Sequence, residues 1–326
     1  MREENESVHK SVLLQETIDG LGLERFDLGK SSKASKKDNN LIILDATYGG
    51  GGHSREILGK FKNARIVAID QDGSVWKNTK AKSNREVSER ILFKNENFRH
   101  LDKALAEEEI QEVDGVIMDL GLSSDQLNPP SKAGEVKGSG RGFSFMRSEP
   151  LIMTMKENPS SEEVIAQDVV NTWSEDSLVK IITGYGEEKF AKRIARGIVK
   201  EREEKEIKTT DDLLSIIEKS VPSSYRHGRT HFATKTFQAI RVAVNDELGA
   251  LSEALPKAFR VLKKGGRMCV ISFHSLEDRI VKRFYKQKEK EGEGKIVSKK
   301  PITPSEEEIK ENKRSRSAKL RIIEKI

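Results

Sequence analysis

One cysteine occurs in 326 residues, Cys269, inside the apolar run MCVISF. It can form no intrachain disulfide and reads as a small packed hydrophobe, which fits a reducing compartment. No stretch approaches the ~20 apolar residues of a membrane span. The opening segment, MREENESVHK, has no apolar centre for a signal peptide. The expectation is a soluble, cytoplasmic chain. Six histidines and one cysteine show neither H-E-x-x-H nor paired C-x-x-C spacing, so no metal is expected. A G-x-S-x-G elbow is also missing, which argues against a Ser-His-acid hydrolase.

The chain contains a mild excess of positive charge, 59 Lys+Arg against 53 Asp+Glu. This balance permits a polyanionic partner without requiring one. The length suits two domains, or one core with a large insertion.

Residues 41–54, LIILDATYGGGGHS, organise the rest. An apolar run ends in Asp45, four glycines follow, and His53 and Ser54 open a helical pattern. That order makes a nucleotide-type pocket at the carboxyl end of the first strand of an open α/β sheet. Glycine serves where backbone takes positive φ or approaches a ligand closely, and the next helix offers free amides. The third glycine of G-x-G-x-x-G is replaced by Ser54, and Asp45 would repel a pyrophosphate. A cationic ligand such as S-adenosylmethionine is favoured over NAD.

A second buried strand, 64–72, ends in Asp70, one β-α-β unit beyond Asp45. An acid there is the usual acceptor of ribose hydroxyls; Asp72 suits the cap of the helical stretch 73–82. ILFKNENF (91–98) reads as a third strand, with Phe98 past its end where it could lie on an adenine face. A fourth, in 113–127, ends in Asp119. Three strands ending in aspartate put carboxylates along one rim of a parallel sheet, where such sheets bind ligands.

The alternation then breaks. Residues 128–147 form a Pro/Gly/Ser/Lys loop, and 161–230 are helical throughout. A long helix, about 233–263, leads to a strand at 265–275, and 318–326 reads as a last strand at the sheet edge. The economical division is a sheet domain of 1–128 and 232–326 with a helical insertion at 129–231. Basic segments at 189–200, 226–241, 277–288 and 313–321 suggest a surface that tracks phosphates. NPPS (128–131) lacks the aromatic of an amine-methylating N-P-P-aromatic signature. In SFHSLED, Ser275 reads as a helix cap with Asp278 three residues on.

DATYGGGGHS, AIDQD, DLGLSSDQL, RGFSFM, YGEEKFAKRIARGIV, TFQAIRVAVNDEL, ISFHSLEDRIVKRF and RSRSAKLR resemble, almost end to end, the ribosomal RNA small-subunit methyltransferase H family, also known as MraW. The resemblance implies a class I methyltransferase fold, Rossmann-like, with an inserted helical domain for RNA recognition. It implies S-adenosylmethionine as donor and N4 of a small-subunit rRNA cytidine near the decoding centre as acceptor. Carried over by motif, the cofactor contacts are Gly51, Gly52, His53, Asp70, Phe98, Asp119 and Gln126. His274, at the carboxyl end of a buried strand on the rim that carries the pocket, could contact substrate or bond to the loop beside it; Asn245 is a further candidate substrate contact, and no catalytic acceptor is assigned. The chain departs from the family pattern at PLIMTM (150–155), where Ile152 and Thr154 replace an acid and an arginine, and at Ser11 and Phe232, which replace prolines. An NAD-dependent oxidoreductase would share the sheet. A non-catalytic RNA-binding assembly factor with a relic pocket is the alternative outside enzymology.

Overall fold

A computed structural model describes residues 11–26, 40–76, 85–122 and 140–326. Two compact units emerge, one formed by Met1–Gly121 with Leu248–Ile326 and the other by Leu122–Glu247. The helix Thr234–Asn245 therefore falls in the inserted unit, not in the sheet unit expected from residue 232 onward. Its buried residues Phe237, Ala239 and Ile240 share the inserted unit's core, which is why the boundary moves.

The first unit is a seven-stranded sheet of β1 (Leu41–Asp45), β2 (Ala64–Asp70), β3 (Ile91–Asn95), β4 (Val113–Asp119), β5 (Leu262–Ser272), β6 (Gly294–Ile296) and β7 (Lys319–Lys325). Their spatial order is β3-β2-β1-β4-β5-β7-β6. The first five are parallel and β7 runs antiparallel to both neighbours. This is the class I methyltransferase arrangement. β1 and β4 are apolar on both faces because helices cover both sides of a parallel sheet. One layer packs Ile43, Ile66, Ile117 and Ile271 with Ile57 and Leu58; the other packs Leu44, Val67, Val116 and Val270 with Leu105, Leu255 and Phe259. Parallel register aligns the carboxyl ends, so Asp45 pairs with Ile117 and Asp119 with Ile271, and both acids lie on one rim.

Two expected elements differ. The last strand is not at the edge, because the short β6 pairs outside it. The long helix is two helices, Thr234–Asn245 and Glu247–Val261, broken at Asp246, whose φ of 46° no α-helix can hold.

In the inserted unit the helices Ala166–Thr172, Glu175–Gly184, Ala191–Glu204 and Thr210–Ser220 follow the apolar periodicity. Ser174 caps the second by accepting the Ser177 amide at 3.1 Å, and Thr209 with Asp212 makes a capping box for the fourth. Ile194, Ala195 and Ile198 turn inward from Ala191–Glu204, leaving Lys192, Arg193, Arg196 and Lys200 exposed. Burying each isoleucine contributes about 1.5–3 kcal/mol. Truncating Ile198 to alanine would break this packing.

Candidate active site

The turn after β1 is built by hydrogen bonds that its sequence makes available. The Gly51 amide donates to the Tyr48 carbonyl at 2.8 Å, and Gly51 sits at φ 67° as N-cap of the helix Gly52–Lys60. A Cβ on Gly51 would lie 2.5 Å from the Tyr48 ring, and one on Gly52 would run into Ser11 Oγ. Gly51, at positive φ against the Tyr48 ring, admits no side chain without strain, whereas at Gly52 only the movable Ser11 hydroxyl stands in the way. Ser11, where the family pattern has proline, thus abuts the glycine turn.

Asp45 does not face outward. It is buried, accepts the Ser54 hydroxyl at 2.6 Å, and lies 3.4 Å from the Thr47 amide. Burial lifts its pKa to about 6. Its role is to tie the strand end to the following helix. The expectation that this acid receives a cation therefore passes to its neighbours on the rim.

Asp70 is half-buried, and each oxygen accepts one amide, from Gly49 at 2.8 Å and from Asp72 at 2.9 Å. A carboxylate has about four acceptor directions, so one remains on each oxygen for a diol. Burial raises its pKa to about 6. Asp72 accepts the Ser74 amide at 3.1 Å, the local capping bond its position suggests.

Asp119 ends β4. Its amide donates to Thr47 Oγ1 at 2.6 Å, which fixes the backbone. Oδ1 is buried without a hydrogen-bond partner among the described residues. Burial first, then the charges of Asp45 and Glu277, push its pKa to about 7. His53 is buried beside it, with Nδ1 4.0 Å from Asp119 Oδ2 and Nε2 3.2 Å from the Val12 carbonyl. Phe98 opens the short 3-10 turn Phe98–His100 after β3 and is half-buried against the core. Gln126 lies outside the described residues.

His274 begins the helix Ser275–Lys290 as its N-cap, with Glu277 completing the box. Glu277 Oε2 accepts the Phe273 and His274 amides at 2.8 and 3.2 Å, and His274 Nε2 lies 3.1 Å from Oε1. The cap expected at Ser275 is therefore one residue earlier. Asp278, freed from capping, pairs instead with Arg321 at 2.6 and 3.2 Å. In the sequence Glu277 stands in H-x-x-E, one residue ahead of the S-x-x-D pattern formed by Ser275 and Asp278. Thr47 belongs to no sequence motif, yet its hydroxyl, two residues past a strand-end acid, reaches the neighbouring strand end at Asp119.

Asn245 belongs to the inserted unit. Its Oδ1 accepts the Met155 amide at 2.8 Å, and Nδ2 donates to the carbonyls of Met153 and Arg241 at 2.7 and 2.8 Å. Arg141 donates from one nitrogen to the carbonyls of Thr154, Met155 and Lys156 at 3.3, 3.0 and 2.8 Å. The segment that lacks the family's acid and arginine is thus held through its backbone. Phe232, at the other proline position, stacks on His231 with ring centroids 4.3 Å apart, and Phe145 also stacks on His231 at 4.4 Å.

The rim offers a glycine cradle, a carboxylate with spare acceptor capacity at Asp70 and, at Asp119, a buried oxygen without a hydrogen-bond partner among the described residues, a set that suits a nucleoside bearing positive charge and no phosphate. Gly51, Gly52, His53, Asp70 and Asp119 come together in the first unit, with Phe98 at the next strand end. No helix among the described residues is long and apolar enough to cross a membrane.

The sequence pattern of the MraW methylase family matches residues 6–326. A ribosomal RNA small subunit methyltransferase H of Clostridium botulinum (strain Kyoto / Type A2) is 43% identical over 334 residues, covering 98% of this chain and 99% of that one. Its counterpart from Clostridioides difficile (strain 630) is 42% identical over the same length and shares. Among solved structures, an rRNA methylase from Streptococcus thermophilus aligns at a TM-score of 0.39 and 10% identity over 89% of each chain, a likeness too loose to add to the strand order.

Proposed function

The chain belongs to the MraW methylase family, and from that premise we propose that it methylates N4 of a cytidine in the decoding region of small-subunit ribosomal RNA, with S-adenosylmethionine as donor. The observation that carries the reading is the end-to-end match, 98% of this chain on 99% of a relative that bears the rRNA methyltransferase name. The rim chemistry supports it independently. Asp70 would take the ribose hydroxyls, Gly51 and Gly52 would let backbone approach the donor, and Asp119 would supply negative charge on the same rim. Phe98 would lie along the adenine, with Gln126 as a further contact.

When bound, S-adenosylmethionine supplies a methyl carbon attached to a positively charged sulfur, with a neutral thioether as leaving group. The residues here need to align the reacting atoms and keep water out. The cytosine amine shares its lone pair with the ring, so an acceptor beside it helps free that pair and takes up the developing charge. The target base would be splayed from its RNA context to reach the rim. The inserted unit, with the exposed cations of Ala191–Glu204, would hold the surrounding RNA. Asn245 would serve the substrate indirectly by shaping the 153–155 segment, and His274 by ordering the helix start. On this reading the small ribosomal subunit would be its partner and the cytoplasm its place of action.

Mass mapping of small-subunit rRNA from a deletion strain, with and without the intact gene, tests the proposal. Restoration of one methyl group on a decoding-region cytidine is expected. A gene that restores growth or assembly without the methyl group would favour the RNA-binding assembly factor instead.

A further inference from the structure

The glycine turn after β1 divides its hydrogen bonds unevenly. In its first half the Gly49 amide donates to Asp70 at 2.8 Å, and the Gly51 amide donates to the Tyr48 carbonyl at 2.8 Å. In its second half the helix Gly52–Lys60 starts from Gly51, which has no side chain to cap it. The Arg55 amide closes the first helical bond on the Gly51 carbonyl at 2.9 Å. The Gly52 and Ser54 amides donate to no group among the described residues, and Ser54 is buried. Free amides at a helix start favour an anion.

A hydroxyl from earlier in the chain meets this helix start. Ser11 Oγ lies against Gly52, where an added Cβ would run into it. Its neighbours fasten the segment in place. The Val12 carbonyl lies 3.2 Å from His53 Nε2, and Leu13, buried at φ 50°, donates its amide to Glu308 at 2.8 Å. Ser11 is half-buried, and its hydroxyl has no hydrogen-bond partner among the described residues. It therefore has a hydrogen to donate, as the two amides have. Arg55 brings positive charge to the same turn, reaching the Gly50 carbonyl at 2.6 Å. Asp45, at the end of β1, is turned inward onto the Ser54 hydroxyl.

S-adenosylmethionine carries a carboxylate beside its ammonium and sulfonium. Acids on the rim at Asp70 and Asp119 attract the cationic groups and repel the carboxylate, which is left to the free amides. We propose that Ser11 is a donor-binding residue, its hydroxyl joining the amides at the start of Gly52–Lys60 to hold that carboxylate. This rests on the methyltransferase reading and adds a residue outside the family pattern. The proline of that pattern has neither a hydroxyl nor an amide hydrogen to give. Hydrogen bonds to an ionised acceptor are the stronger kind. The carboxylate lies away from the reacting carbon, so the contact holds ground state and transition state alike. It sets donor affinity and leaves the rate of methyl transfer alone.

The deciding measurement is equilibrium binding to the full chain, without RNA. Its ligands are S-adenosylmethionine, S-adenosylhomocysteine and decarboxylated S-adenosylmethionine, which keeps the nucleoside, the sulfonium and the ammonium. Ser11→Ala is expected to weaken the first two by about tenfold and to leave the decarboxylated compound within about twofold. Ser11→Pro is expected to repeat that pattern, and if it does not fold, Ser11→Ala decides alone. Equal weakening of all three compounds overturns the proposal, as does weakening of none. Equal weakening with a lower melting temperature of the ligand-free variant would make Ser11 a cap of the helix instead. An unaltered chain that binds none of the compounds ends the methyltransferase reading, and this proposal with it. Binding of all three without a selective loss in the variants ends the Ser11 assignment alone.

Discussion

The side-chain amide of Asn245 donates to the carbonyl of Met153 at 2.7 Å, across 92 residues of sequence. Met153 is buried and held at φ 53°, a conformation that a residue with a Cβ adopts at a cost of about 1–2 kcal/mol. The long-range bond, with its partner at Met155, supports that strained backbone from outside.

Asn245→Ala should therefore destabilise the inserted unit by about 2–3 kcal/mol, since buried backbone groups lose their partners. Donor affinity, which depends on the other unit's rim, should not change. Chemical denaturation and calorimetric titration with S-adenosylmethionine measure the two quantities side by side. Equal loss in both would show that Asn245 acts on the donor site.

Arg141 holds three successive carbonyls with one planar group, a task that a lysine's compact ammonium performs poorly. Arg141→Lys should raise hydrogen exchange at the amides of 153–156 by about tenfold or more, corresponding to roughly 1.5–3 kcal/mol of lost charged hydrogen bonding. Unchanged protection there would remove Arg141 from the account of how this segment is ordered.

Asp70→Ala should weaken donor binding by about 1–3 kcal/mol, because the diol loses its acceptor and the Gly49 and Asp72 amides lose theirs. Asp70→Asn keeps one acceptor oxygen and should fall between the two. An affinity indifferent to both substitutions would move the ribose elsewhere.

Asp45, Asp70 and Asp119 have pKa values raised by burial to about 6, 6 and 7. An unfolded aspartate ionises near pH ~4. Between that pH and neutrality the unfolded chain holds fewer protons than the folded one, so stability falls as pH rises. Asp119→Asn removes one such group. The variant should melt higher than the unaltered protein at pH 8 and close to it below pH 4, where both states keep the proton. A difference in melting temperature that is the same at both pH values would contradict the raised pKa.

Lys282, Arg283 and Lys286 stand exposed along one face of the helix Ser275–Lys290, with no carboxylate within ion-pair reach among the described residues, whereas Lys288 on the same helix is paired with Glu291 and Glu293. Replacing the three by glutamine should lower affinity for small-subunit RNA and reduce the slope of log K against log salt by about 2–3, one condensed counterion per lost phosphate contact. Filter binding over a range of salt concentrations measures it. A preserved slope would assign those cations to solvent.

The sequence alone determined every strand but β6, the rim that carries three terminal acids, the glycine turn and the helical character of the insertion. Each of these is written in neighbouring residues: apolar runs of strand length, an acid closing three of them, and apolar positions at helical spacing. The parallel sheet then follows from alternation, and with it the common edge on which Asp45, Asp70 and Asp119 lie. Tertiary structure decided what each acid does once there. Asp45 turned inward because Ser54 reaches it, Asp70 kept acceptor capacity beyond its two amides, and Asp119 was left facing a histidine. It also placed β6 outside β7, broke the long helix at Asp246, and paired Asp278 with Arg321. Such partners are chosen by the meeting of segments tens to hundreds of residues apart. Periodicity reports which face of an element is buried and contains nothing about which polar group will be opposite.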